Sequence, residues 1–131
     1  MIKTLTISIE WKKSSMWGMN PHATAEVTHF DGTYETKTGY KASGCGYDKA
    51  STVVAAICND FLLDRLKKKR TTTKHPYGIY CSKDRRSFNG GVGMACYIDI
   101  ARFLGGRFEI LASGQTFDVY RITFKGVKCK S

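Results

Sequence analysis

Leu5, Ile7, Ile9 and Trp11 alternate with Thr4, Thr6, Ser8 and Glu10, which is the period of a strand with one buried face. A loop is expected next, carrying Lys12, Lys13, Met16, Trp17, Gly18, Met19 and Pro21, with its large apolar side chains tucked under the hairpin in preference to the alternative, exposure for stacking on a base or partner. Alternation resumes through Ala25, Val27 and His29, breaks at Asp31-Gly32, and returns through Tyr34, Thr36, Thr38 and Tyr40. Asp-Gly between alternating runs is a hairpin signal. A two-residue turn would set Phe30 opposite Thr33 and Glu26 opposite Lys37, an opposite-charge pair on the outer face.

The period then lengthens. Ala50, Val53, Val54, Ile57, Cys58, Phe61, Leu62 and Leu66 follow helical spacing behind Asp48, a competent N-cap, so one core helix is expected from Asp48 to Leu66, with Val54, Ile57 and Phe61 buried. Residues 71–91 have no clear period and hold Pro76, Tyr77, Tyr80 and Phe88 among basic side chains, as in a long, partly ordered loop. A second helix is expected from Gly93 to Leu104, ended by Gly105-Gly106, and a second hairpin from Arg107 to Lys125 turning at Ser113-Gly114-Gln115. The order β-β-β-α-α-β-β predicts an α+β fold, a mainly antiparallel sheet with two helices packed on one face. With 131 residues the chain is expected to be a single domain, 1–131, with a long basic loop over 67–91.

Charge narrows the function classes. Twenty-one Lys and Arg against 11 Asp and Glu give a formal charge of +10, which points to an anionic partner. Much of the excess falls on Arg65, Lys67, Lys68, Lys69, Arg70, Lys74, Lys83, Arg85 and Arg86. The 5 cysteines are odd in number and widely spaced, so neither a disulfide framework nor a zinc ribbon is expected, and the 3 histidines give no metal-ligand spacing. No apolar run is long enough for a bilayer, and the alternating N-terminus is unlike a secretion signal, so a cytoplasmic chain without membrane partners is expected.

The chemistry-bearing stretch is Ser43-Gly44-Cys45-Gly46-Tyr47-Asp48-Lys49, where two glycines flank a thiol between a strand and a helix N-terminus. Glycine lets a ligand approach the backbone, and unpaired N–H groups at the positive end of the helix suit a phosphate. Gly91 and Gly93, before the second helix, offer a similar start. A nucleotide-hydrolysing P-loop is excluded, because Cys45-Gly46 stands where Lys and Ser or Thr would be needed. Cys45 would gain thiolate character at such a place, yet a nucleophile needs a base, and only His22 and His29 could approach. Asp99 and Asp118 sit in apolar stretches and are expected to face solvent or to pair with Arg102 or Arg121.

The segments Ala42-Ser43-Gly44-Cys45-Gly46-Tyr47-Asp48-Lys49 and Ala112-Ser113-Gly114-Gln115-Thr116-Phe117-Asp118-Val119-Tyr120, with Asn89-Gly90-Gly91-Val92-Gly93, resemble a family of small, mostly uncharacterised proteins of phages and mobile elements of Gram-positive bacteria. The resemblance spans most of the chain after Glu10 and implies an accessory role, such as interference with a host defence, without implying catalytic residues. These readings give a non-enzymatic protein, without cofactor, that binds nucleic acid or a phosphate-bearing signalling nucleotide. Its expected site comprises Ser43 to Lys49, Lys67, Lys68, Arg70, Lys83, Arg85, Arg86, Gly91 and Gly93. Two alternatives stand beside it: a direct protein-binding inhibitor of a nucleoprotein defence complex such as a Cas nuclease, and an enzyme that depends on Cys45.

Overall fold

Alternation at the N-terminus produces a longer hairpin than the polar and apolar pattern alone implied. In a computed structural model that describes residues 1–14, 18–42, 49–68, 88, 98 and 101–126, β1 (Ile2–Ser14) pairs along its length with β2 (Gly18–His29). The loop expected over residues 12–21 is therefore mostly strand. Lys12 faces Asn20 and Trp11 faces Pro21, while Met16 and Trp17 lie outside the described residues. The further elements are β3 (Tyr34–Lys41), α1 (Lys49–Phe61), α2 (Leu63–Lys68), β4 (Gly106–Ser113) and β5 (Phe117–Phe124). The fold is α+β, on a five-stranded antiparallel sheet of order β3-β2-β1-β5-β4.

Residues directly opposite in neighbouring strands share a face, so the registers sort the sheet into two surfaces. Leu5 lies between Val27 and Ile122, and Ile7 between Ala25 and Tyr120; these residues are buried. Val53, Val54, Ile57 and Cys58 of α1, then Leu62 and Leu66, belong to the same apolar cluster. Thr4, Thr6, Ser8, Glu10 and Lys12 occupy the opposite face of β1.

The Asp31-Gly32 hairpin has a three-residue loop where two residues were expected. The His29 N–H donates to the Thr33 carbonyl at 2.8 Å, and Gly32 takes φ +91°. A type I turn followed by a residue at positive φ is a common loop of this length. Asp31 fixes it by accepting from the Thr33 N–H at 2.9 Å and hydroxyl at 2.6 Å, bonds that hold its carboxyl below the usual range. One residue more in the loop shifts the register, so Glu26 faces Thr36, and Lys37 faces Ala25. Further along, a bulge between Ala23 and Ala25 sets two β3 residues, Thr38 and Gly39, against Thr24, and Gly39 adopts φ +91° there.

The helix expected over Asp48 to Leu66 bends at Leu62, between α1 and α2. The Leu62 N–H still donates to the Cys58 carbonyl at 2.7 Å, and the Leu66 N–H to the Leu62 carbonyl at 3.1 Å. Cys58, Leu62 and Leu66 consequently keep one buried stripe through the bend. Val54 and Ile57 are buried as expected, whereas Phe61 is only half-buried. α1 is tied to β3 through Asp60, which accepts from the Lys37 ammonium at 2.7 Å and from the Tyr40 hydroxyl.

Phe88 is the described residue of the loop expected over 71–91. It is buried, its N–H donates to Asn59 Oδ1 at 2.6 Å, and its carbonyl accepts from Asn59 Nδ2 at 3.0 Å. Such a two-way amide bond satisfies both backbone groups of a buried residue. Ile98 and residues 101–103 are helical, and the Gly105 N–H donates to the Arg102 carbonyl at 3.1 Å as the chain leaves the helix at φ +78°. The other residues of the expected Gly93 to Leu104 helix lie outside the described residues.

Candidate functional site

Most of the site expected from sequence falls outside the described residues: Ser43, Gly44, Cys45, Gly46, Tyr47, Asp48, Arg70, Lys83, Arg85, Arg86, Gly91 and Gly93. Lys67 and Lys68 close α2. Lys49 opens α1, where its ammonium donates to Asn20 Oδ1 at 2.9 Å and to the Met19 carbonyl at 3.2 Å, joining the helix start to the start of β2. The two histidines considered as bases for Cys45 are well separated along β2. His22 faces Glu10 and Lys41, and His29 ends the strand with Nε2 3.9 Å from a Glu35 carboxylate oxygen.

Asp118 is half-buried and does not pair with Arg121. Its position opposite Ile9 puts it on the apolar face, where one carboxylate oxygen accepts from the Trp11 indole N–H at 2.8 Å and the other from the Ser113 hydroxyl at 2.7 Å. Arg121 projects from the other face and donates from Nε to the Thr6 hydroxyl at 3.1 Å. Strand alternation enforces this separation, since positions 118 and 121 differ by an odd number. Burial, with Asp118 as the second cause, pushes the Tyr120 hydroxyl up to about 12.

The polar face of the sheet carries a depression of about 430 Å³, lined by Ser8, Glu10, Lys12, His22, Thr24, Thr38 and Phe117 among others. Three central strands and β3 build it. Glu10 faces His22 on one side and Phe117 on the other, Ser8 faces Thr24 and Val119, and Lys41 faces His22. Gly39 contributes an edge with no side chain at the bulge. Phe117 is 46% exposed, and Lys12 and Lys41 are exposed at the margin. Hydroxyls, ammonium groups, an imidazole, an aromatic ring and the Glu10 carboxylate, 3.8 Å from the Lys12 ammonium, thus converge on a shallow open surface. These groups can hydrogen-bond, neutralise phosphate and stack on a planar base.

A second cleft, of about 370 Å³, lies between Met1, Ile2, His29, Phe61, Asp64 and Arg65. Its guanidinium is already engaged. Arg65 donates from Nη2 to the Ile2 carbonyl at 2.8 Å and stacks with its guanidinium carbon 3.8 Å from the Phe124 ring centre. Burial of this side chain lowers its pKa, so here the cation serves the packing of α2 on the sheet.

Among the described residues no group of three or more His, Cys, Asp or Glu is placed to hold a metal ion, and no helix is long and apolar enough to cross a membrane. The polar depression was missed in the sequence because its members are the outward half of each alternating strand. Each was legible as exposed, but their convergence depends on the strand order β3-β2-β1-β5, which brings the last strand beside the first. No protein-family model, curated protein or solved structure matches the chain.

Proposed function

We propose that this chain is a small non-enzymatic protein that binds a phosphate-bearing ligand, and that the ligand is a single-stranded nucleic acid lying across the polar face of the sheet. The observation that carries this reading is the depression of about 430 Å³ lined by hydroxyls, Lys12, His22 and Phe117 in a chain of formal charge +10. In this reading the helices of the β-β-β-α-α-β-β order pack on the apolar face and leave the polar one to the ligand. In sequence, Ser43 to Asp48, the glycine-flanked helix start expected to seat a phosphate, come after Lys41 and Ala42 and lie outside the described residues. Capture of a nucleic acid also fits the sequestering role in host-defence evasion that the family resemblance implies.

Fluorescence anisotropy with labelled single-stranded RNA and DNA, titrated at several salt concentrations, tests the proposal. Engagement of about four phosphates gives a slope of log K on log salt near −3, so raising salt fourfold should weaken binding roughly 50-fold. Lys12→Ala and Lys41→Ala should each make that slope shallower by about 0.7. Phe117→Ala should cost about 1–3 kcal/mol of binding if a base stacks there. Absence of binding at low salt, or variants indistinguishable from the parent, would overturn the assignment to this face. Full displacement by a mononucleotide would replace a strand with a compact nucleotide as the ligand.

A further inference from the structure

Among the described residues the sheet ends on two edge strands of different character. β3 carries Glu35, Thr36, Lys37 and Thr38 and is kinked by the bulge at Gly39, devices that discourage pairing with another chain. β4 instead leaves Ile110 at 53% and Leu111 at 43% exposure. Its pairing with β5 shifts between Ile110 and Ala112, so Leu111 is an extra residue and regular strand extends from Gly106 to Ile110.

That regular window, Gly106-Arg107-Phe108-Glu109-Ile110, is complementary to itself when read antiparallel about Phe108. Arg107 of one copy would face Glu109 of the other, twice by symmetry, with Phe108 on the two-fold axis. Gly106 would face Ile110, so that exposed aliphatic side chain meets a residue without one. Arg107 and Glu109 already lie 3.5 Å apart within the strand, on one face of it. Arg107 is largely exposed, which leaves room for a second carboxylate. Beside the same edge, a cleft of about 370 Å³ lined by Ile98, Arg102, Gly106, Arg107 and Phe108 leaves room for the second copy's Ile110, which would face Gly106.

We infer that the occupant of the β4 edge is a second copy of this chain, paired antiparallel through residues 106–110 into a continuous ten-stranded sheet. A two-fold interface of this kind requires a self-complementary patch, which the Arg-Phe-Glu spacing supplies. The charge order of the window is self-complementary about Phe108, which a second copy matches and an unrelated strand does not match by symmetry.

Sedimentation equilibrium of the full chain, under reducing conditions and freed of nucleic acid, tests the inference. The parent should be dimeric at tens of micromolar, and a monomer at that concentration overturns it. Arg107→Glu sets like charges opposite each other at both symmetric positions and should weaken the dimer about tenfold. Glu109→Arg should do the same. The double variant Arg107→Glu with Glu109→Arg restores opposite charges only in this register, so recovery of the dimer supports the pairing and failure to recover in a folded protein refutes it. Ile110→Lys alters an already exposed side chain, so it should remain folded by circular dichroism and become monomeric; a folded, dimeric Ile110→Lys places the interface elsewhere.

Discussion

Leu62 is the residue on which the two helical pieces turn, and its removal is the sharpest check on how they meet the sheet. It is fully buried, it lies four residues from both Cys58 and Leu66 on the buried stripe, and its own backbone bonds carry the helical pattern across the bend. Leu62→Ala removes three carbon atoms from a packed interior, losing transfer energy and leaving a cavity, for a cost of about 3–4 kcal/mol. For a domain of this size that lowers Tm by roughly 10–15 °C. Phe61, one residue earlier, is half-buried at the rim of the cleft shared with Met1, His29 and Arg65, so Phe61→Ala should cost only about 1–2 kcal/mol despite deleting a larger side chain. Urea unfolding followed by circular dichroism, with the m-value unchanged between variants, gives both numbers. A larger loss for Phe61→Ala than for Leu62→Ala, or a Leu62→Ala cost below about 1 kcal/mol, would mean that the stripe is misphased and the bend misplaced.

Asp60→Asn should destabilise by less than about 1 kcal/mol at neutral pH, since the carboxylate it removes is partly exposed to solvent. Bonds from Lys37 and then Tyr40 lower the Asp60 pKa below its ordinary 3.8, so the native state favours the ionised form. This contribution is present above pH 3.8 and lost as pH falls through the lower folded value; the gap between parent and variant in urea titrations should therefore close in acid and persist at pH 7. Gly39→Ala should cost about 1–2 kcal/mol, because φ is +91° there while nothing lies within 4 Å of the added methyl, which isolates backbone strain from packing. A neutral Gly39→Ala in the same titration would remove the bulge from its assigned place.

Strand positions were legible where one face is apolar and the other polar, as in Leu5 to Trp11, because that alternation has a single structural solution. Hairpin register was not. Asp31-Gly32 is compatible with loops of two or three residues, and the choice rests on the bond from His29 to Thr33, a tertiary fact. Lys12 to Pro21 read as loop because glycine, proline and charge interrupt alternation, yet Pro21 is accommodated opposite Trp11 in a hairpin longer than local propensity suggests. Phe88 looked like one aromatic in a basic loop; its burial depends on Asn59, a partner 29 residues away that no periodicity reveals. The solvent-facing or Arg-paired place expected for Asp118 did not anticipate its Trp11 partner for a related reason. A carboxylate in an apolar run can face inward when an indole N–H and a hydroxyl await it, and Trp11 is 107 residues distant.

The distribution of acidic side chains bears on function as much as the total charge does. Asp31 fastens a turn, Asp60 fastens α1 to β3, Asp118 fastens Trp11 to the start of β5, and Glu109 lies against Arg107. Carboxylates committed to such bonds hold the fold and contribute little to an outward-facing negative field. The threonines of the polar face do the complementary work: they favour strand geometry, keep the surface wettable, and add no charge. Glu10 is the exposed carboxylate of the depression, and Lys12 lies 3.8 Å from it, so Lys41 and the remainder of the Lys12 charge act on a polyanion over a screening length of about 8 Å at physiological salt. Under the proposed reading, a polyanion would meet ammonium groups at the rim, hydroxyl donors and the Glu10 carboxylate in the depression, and the open ring of Phe117, an order of encounter suited to a flexible strand that can avoid Glu10 more than to a rigid acidic protein surface.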